Sequence, residues 1–495
     1  MQESHALRRW AGRGILPDIG CVSALVAYFL HFALQSLPAH FRADDLRNMV
    51  IDWSRGWWGT IANNLCFWRG AGRPLGGLFY LSLHTWFDLE PRPYRIIAIT
   101  LLAAAIPFAY RLGRDLTRSR SVAFLTVFAW CYHPRLANLV FVTAFIFDVL
   151  CSLFYFAALA WYVAVREGDR PLGWWQLAGC FALYICALNS KEMAVTLPVI
   201  VLVYEVLKYY HTERPEKFVS WIRRYAMPAL VAGVIALIYL YQKTYGPGGV
   251  ITKAPGMEMY IPHYTWQAFS TSNSNFIAQF YFLFSKPRSS VVALLCSWAA
   301  VFLYAFLRRD RALQLMAFWV VITPLPLAFV APRGGGPLVI VLFGWTMVLA
   351  KIVADLSQLL AKRALLGRVS VRAARVALTL TVAIGLGVYI ERHNSLLASS
   401  WLRIGSKEAR LISAFRALGL QPKPGSRILL VNNPFAAEPF GTRTAPRNIA
   451  LLLWNDHSLS VYLEGSDTLS GDEIANMDYV LALHQDKLDV LRAVR

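Results

Sequence analysis

The stretch FRADDLRNMVID, residues 41–52, sets two adjacent carboxylates, Asp44 and Asp45, just beyond the first long apolar run and at the head of a polar loop. Two readings of the pair stand side by side. Acidic residues favour helix N-termini, so the two acids can cap a short surface helix. A carboxylate pair at the edge of a very apolar chain can equally serve charge-dependent chemistry. The rest of the sequence has to choose between them.

The chain has 495 residues, 57% of them hydrophobic and 16% charged, with a mean hydropathy of +0.44. A soluble protein of this length carries far more charge, so the composition is that of a polytopic membrane protein. Crossing the hydrocarbon core takes apolar runs of about 18 residues or more. Candidate runs lie near 16–36, 95–112, 121–135, 137–165, 172–188, 193–210, 225–243, 290–307, 312–331, 337–358 and 373–391. The expected fold class is therefore mostly α, with about eleven transmembrane helices.

Basic residues follow this division. Clusters occur at Arg8, Arg9 and Arg13; at Arg111, Arg114, Arg118 and Arg120; and at Arg166 and Arg170. Others fall at Lys208, Lys217, Arg223 and Arg224; at Arg308, Arg309 and Arg311; and at Lys362, Arg363, Arg368, Arg372 and Arg375. They occupy alternate connections of the expected helices, which puts the N-terminus in the cytoplasm by the positive-inside rule. The net charge of +20 is thus mostly a topology signal. Nucleic-acid binding would gather the basic residues on one soluble surface, interleaved with aromatics, and they are not so gathered.

Three segments then face outward: residues 37–94, 244–289 and everything after about 392. The first run shows no small-residue cleavage site and reads as an uncleaved anchor. The seven cysteines are scattered without metal-ligand or paired spacing, and Cys66 stands alone in the first outer loop. A membrane domain of residues 1–391 would be followed by a small outer α/β domain of 392–495. In the latter, RILLVNNP (427–434) reads as a buried strand followed by a turn, YVLAL (479–483) as another strand, and DKLDVLRAV (486–494) as a short helix. No internal repeat is visible.

Further charged positions map to the expected outer ends of helices. Trp53, Trp57, Trp58, Trp68 and Trp86 enrich the first loop, as suits interfacial indoles. Leu75 to Phe87 is apolar but too short to cross, so it is expected along the membrane surface. Arg73, just before it, is either a snorkelling anchor or a guanidinium suited to a lipid-linked phosphate. His133 and Pro134 mark an outer turn, and Asp148 is expected three to four turns into the next helix. A carboxylate there needs a partner or a wet cavity. Lys191 and Glu192 sit at another outer end, as an interfacial charge pair or beside a phosphate. Arg333 lies in the glycine-rich turn APRGGGPLV, which can approach an anion closely.

Four of these motifs, in this order, resemble those of the polyprenyl-phosphate-sugar glycosyltransferases of the GT-C fold. They are Asp44-Asp45; Arg73-Pro74-Leu75; His133-Pro134 with Asp148; and Ser190-Lys191-Glu192 with Pro198 and Glu205. The likeness is to the protein O-mannosyltransferase branch, including its tetratricopeptide-bearing relatives, and ADDLR also looks like the matching loop of aminoarabinose transferases. It covers about residues 45–205. Three departures stand out. Ile146 occupies a position where the family often has arginine. Arg135-Leu136-Ala137 follows His133-Pro134 without the acid often found nearby, and the tetratricopeptide array is absent.

The resemblance implies an inverting transfer of a sugar from a polyprenyl-phosphate donor to a glycan, lipid or protein acceptor on the outer membrane face. It implies Asp44 as general base with Asp45 assisting by hydrogen bonding. Arg73 and Lys191 would bind the donor phosphate, and His133, Asp148 and Glu192 would position the substrate; Arg333, outside the resemblance, is a further candidate for the phosphate from its glycine-rich turn. The lipid-linked sugar is a substrate, phosphate leaves as a stabilised anion, and no divalent metal is required. Membrane lipids are the other expected partners. Two rival classes are a secondary transporter, which usually shows repeated halves, and an assembly protein of the cell envelope, which leaves the ordered motifs unexplained.

Overall fold

A computed structural model describes residues 15–66, 72–212, 217–246, 249, 261–280, 290–333, 335–364, 371–438, 440–484 and 487–493. Arg8, Arg9, Arg13, Trp68, Arg368, Asp486 and Val494, and parts of the expected loop 244–289, lie outside the described residues. The chain is mostly helical. Its helices include α1 (Ile15–Ala33), α2 (Ala43–Leu65), α3 (Pro74–Phe87), α4 (Pro91–Thr117), α5 (Arg120–Cys131), α6 (Ile146–Arg166), α7 (Trp174–Ser190) and α8 (Leu197–Tyr210). Then come α9 (Met227–Tyr245), α10 (Val291–Leu307), α11 (Arg311–Ile322), α12 (Val339–Ala364), α13 (Val371–Arg403), α14 (Ser406–Leu418) and α15 (Ala445–Trp454).

Seven helical stretches among the described residues are long and apolar enough to cross a membrane: Ile15–Ser36, Pro91–Thr117, Thr143–Arg166, Glu192–Tyr210, Phe218–Tyr245, Gly336–Leu359 and Val376–Leu418. The other four expected spans are helices too, but shorter. α5 and α11 have 12 residues, and α7 and α10 have 17. Twelve residues rise only about 18 Å against a hydrocarbon core of about 30 Å.

Ion pairs gather the arginine clusters at one end of the bundle. Asp18 at the start of α1 takes Arg114 at 2.5 Å and Arg120 at 2.8 Å. Glu167, just past α6, takes Arg118 and Arg311 and accepts the Tyr204 hydroxyl at 2.8 Å. Lys208 meets Asp169 at 3.1 Å, Lys351 meets Asp310 at 2.5 Å, and Arg308 meets Asp355 at 3.0 Å. The contacts join the starts of α1, α5 and α11 to the ends of α4, α6, α8 and α10 and to the interior of α12. Helix direction therefore alternates as the charge pattern of the sequence expects. Slightly deeper, Arg166 and Glu205 form a bidentate pair at 2.6 and 2.9 Å, both fully buried. Glu205 thereby serves the bundle's packing, and removing one member of such a pair costs about 3–5 kcal/mol.

One expected helix is broken. The run 137–165 is not continuous: short turns at Pro134–Leu136, Asn138–Phe141 and Thr143–Phe145 precede α6. Val142 is extended at φ −132°, ψ 113°. The Phe141 carbonyl, which a continuous helix would bond to the amide four residues on, instead accepts from Arg95 Nη1 at 3.0 Å. Asp148 consequently lies in the first turn of α6, not three to four turns inside a helix.

The C-terminal region forms a four-stranded sheet of order β2-β1-β3-β4 from β1 (Arg427–Val431), β2 (Ser460–Leu463), β3 (Tyr479–Leu483) and β4 (Leu488–Ala493). β1 runs parallel to both β2 and β3. Ile428, Leu430, Leu463, Leu481 and Leu483 build its core, and both expected strands are present. The expected helix over DKLDVLRAV is instead β4, antiparallel to β3. A short apolar run has no decisive period, and the open edge of β3 recruits it. The expected boundary at 391/392 falls inside α13, which runs on to Arg403. The sheet's helices dock on the first loop, where Trp53 donates to Asn455 at 2.6 Å and stacks on His457 at 3.8 Å.

Candidate active site

α2 begins at an extended Arg42, whose amide donates to Asp45 Oδ2 at 2.8 Å. An acid at the third helical position commonly reaches back in this way. Asp45 is fully buried, and its Oδ1 has no partner at hydrogen-bond distance. Burial pushes the carboxyl above its ordinary range, against the opposing pull of Arg95, Thr143 and Arg42. Asp44, one residue earlier, is exposed. Beneath them Arg95, fully buried, donates to three carbonyls: Ala39 at 3.0 Å, His40 at 2.6 Å and Phe141 at 3.0 Å. It ties the approach to Asp44 to the broken segment before Asp148.

α3 lies against this arrangement through its Gly-Gly pair. A Cβ on Gly76 would sit 2.1 Å from the Phe147 ring, and one on Gly77 would sit 2.7 Å from Asp52 Oδ1. Only glycine permits so close an approach. Asp52 is 5% exposed, and burial lifts its carboxyl to about 6, against the pull of Arg55 at 3.2 Å.

Arg73 precedes α3 and donates to both oxygens of Glu192, at 3.2 and 2.9 Å. Burial opposes its charge, but Glu192 and Asp148 outweigh burial and hold its pKa above the ordinary value. Lys243 reaches Glu192 at 3.5 Å and the Gly72 carbonyl at 2.5 Å. Lys191 donates to both oxygens of Asp148 at 2.6 Å. Lys191 is extended, at φ −162° and ψ 152°, so it and Glu192 leave the chain in different directions. They do not pair with each other; each takes a charge from another element. Asn189 donates to the Asn64 carbonyl and Asn64 to the Pro74 carbonyl, both at 2.9 Å, which locks α7, α2 and α3 together.

His133 is buried, and its Nδ1 accepts from the Arg135 amide at 3.2 Å, fixing the Pro134–Leu136 turn. Arg333 is half-buried ahead of Gly335, whose φ of +72° favours glycine. Cβ atoms on Gly335 and Gly336 would meet Asn138 Nδ2 at 2.4 Å and the Phe145 ring at 2.5 Å. The Arg333 turn therefore rests on the segment leading to Asp148. Arg73 stands 5.4 Å over the Phe147 ring, and the Tyr80 ring is 6.2 Å from it.

The described fold is similar to two solved structures of the Archaeoglobus fulgidus oligosaccharyltransferase. With the apo form the TM-score is 0.48 and the identity 12%, over 87% of this chain and 64% of that one. With the form tethered through a disulfide to an acceptor peptide containing the NVT sequon, the TM-score is 0.42 and the identity 14%, over 77% and 55%. The chain thus spans less than two thirds of that protein's length. No family model and no curated protein matches it.

Sequence reasoning missed Lys243, Arg95 and the Asp52–Arg55 pair. Lys243 carried a signal, being a lysine at an expected outer helix end where the positive-inside rule does not want one. Asp52 follows Asp45 by seven residues, two helical turns on the same face. Arg95 had no such mark. Among the described residues no cluster of three His, Cys, Asp or Glu is arranged to hold a metal. All seven cysteines, Cys66 included, are free thiols.

Proposed function

We propose that this chain is an integral-membrane glycosyltransferase that moves a sugar from a polyprenyl-phosphate donor to an acceptor at the outer face of the membrane. Asp44 takes the proton of the acceptor hydroxyl. That oxygen bonds to the anomeric carbon as the carbon–oxygen bond to phosphate breaks, with inversion. General-base help of this kind contributes about 10²–10⁴-fold. Arg73, Lys191 and Arg333 receive the charge that develops on the departing phosphate. Asp148 and Glu192 hold two of these cations in place, and His133 shapes the neighbouring turn. The N-terminus is cytoplasmic, and the C-terminal sheet faces outward.

The observation that carries this reading is the meeting of three separated stretches at one end of the bundle, through the Arg73–Glu192 and Lys191–Asp148 pairs. The pairs do not exhaust their cations, since a guanidinium has five N–H donors and an ammonium three. An apolar groove lined by Phe181, Tyr184, Leu197, Val201 and Ala229 lies between α6, α7, α8 and α9.

Donor binding tests it. Arg73→Ala weakens binding of a polyprenyl-phosphate sugar about ten- to hundredfold, since a charge-assisted contact is worth about 1.5–3 kcal/mol. Lys191→Ala alone would leave Asp148 buried and unpaired, so Lys191→Met with Asp148→Asn is the clean variant. Unchanged donor affinity in both chains removes the phosphate assignment.

A further inference from the structure

Lys243, near the end of α9, is an ammonium held almost wholly out of water, at 4% exposure. Burying such a charge is costly unless it is paired and hydrogen-bonded. Both conditions are met at the Arg73–Glu192 pair. Lys243 Nζ donates to the Gly72 carbonyl at 2.5 Å, stands 3.5 Å from Glu192 Oε1 and lies 5.4 Å over the Tyr239 ring. Arg73 meets the same carboxylate through Nε and Nη2, at 3.2 and 2.9 Å. One carboxylate thus answers two cations of unequal access: the Arg73 side chain is 30% exposed and that of Lys243 only 5%. An anion arriving from outside the bundle meets the guanidinium, while the ammonium stays covered.

The charges of this cluster do not cancel. Among the described residues, three of its cations, Arg73, Lys191 and Lys243, share two carboxylates, Glu192 and Asp148. Lys191 and Asp148 form a neutral pair, so one positive charge is left over beside Glu192. Arg73 is the member that can present it. Without Lys243 the Arg73–Glu192 pair would be neutral too, and its pull on a phosphate would fall to that of a dipole. The same lysine ties down the backbone one residue before Arg73, which fixes where the guanidinium starts.

We propose that Lys243 is a positioning residue for the donor phosphate. It offsets Glu192 and anchors the Gly72 carbonyl, so that Arg73 keeps its charge for a phosphate that Lys243 itself does not touch. The role rests on the donor-binding reading above, which gives Arg73 that phosphate.

The test uses the full chain in lipid nanodiscs, titrated with farnesyl phosphate and with farnesol, which has the same tail and no phosphate. Lys243→Met keeps the stem and removes the charge. It is expected to weaken farnesyl phosphate binding about tenfold and to leave farnesol binding unchanged. Adding Glu192→Gln to Lys243→Met returns the local charge to that of the parent chain, and should return the affinity to within about threefold of it. A lysine in direct contact with phosphate would leave the double variant as weak as the single one. Parent-like binding by Lys243→Met, an equal loss for farnesol, or a double variant that regains nothing would each overturn the proposal. If Lys243→Met fails to fold, the double variant decides alone. Arg73→Ala separates the two readings. Parent-like affinity in that chain removes the phosphate assignment and the role of Lys243 with it. Weak binding by Arg73→Ala beside intact binding by Lys243→Met removes only the role of Lys243.

Discussion

At Asp45 the carboxylate does what an acid at the third position of a helix does, accepting the amide of the residue before the helix, while Asp44 beside it stays in solvent. The cap reading is therefore realised in one acid and leaves the other available for chemistry. The sequence marked both residues, but not the division of labour, because that depends on which side of a helix turn the bundle covers. Asp52 shows the same dependence. Its folded pKa of about 6 lies above the ordinary carboxylate value, so the folded chain holds this proton to higher pH than the unfolded one. The sign follows directly: stability falls as pH rises from about 4 to about 6, and the loss is complete above that window. Two pKa units correspond to about 3 kcal/mol. Asp52→Asn should raise the unfolding temperature at pH 7.5 and flatten its pH dependence between pH 4 and 6. Thermal unfolding in detergent across pH 4–8 checks this, and superimposable curves for the two chains would count against it.

At the level of elements, the long apolar runs were legible because their length alone distinguishes them. Breaks inside them were not. Nothing in the run 137–165 announces that Arg95 captures the Phe141 carbonyl, since the partner comes from 46 positions away. β4 was misread for a related reason: its structure is set by a neighbouring strand. The glycines of RPLGG were visible as a motif, and their physical meaning is a tight contact between α3, Phe147 and Asp52. Gly77→Ala must push Asp52 aside, and overpacking of this sort costs about 1–3 kcal/mol. Gly76→Ala faces a rigid ring at still shorter range and should cost more. Denaturant or thermal melts of the two variants should rank them in that order, with donor binding weakened in both because α3 carries Arg73 at its head. Melts of both variants matching the parent would show that the helices have slack there.

Across the whole molecule, two polar ends emerge. One holds arginines bonded to Asp18, Glu167 and Asp355, with Lys351 on Asp310; the other holds Asp44, Arg73, Asp148, Lys191, Glu192 and Lys243. The charge pattern of the sequence carried this division, because alternate loops collect arginine, but it could not say that the charges of the second end would pair with one another. Cysteines placed singly at Ser119 and Ser466 in a cysteine-free chain should react with an impermeant thiol reagent from opposite sides of the membrane; reaction from one side would break the topology. The central claim, that the outer end performs sugar transfer with Asp44 as base, is tested most directly by Asp44→Asn. This change keeps the side chain's shape and removes its proton acceptor. Glycan profiling of a deletion host carrying the variant at wild-type protein level should show the sugar product abolished, with donor binding intact in the purified chain. Full restoration of the glycan profile by Asp44→Asn would contradict the account.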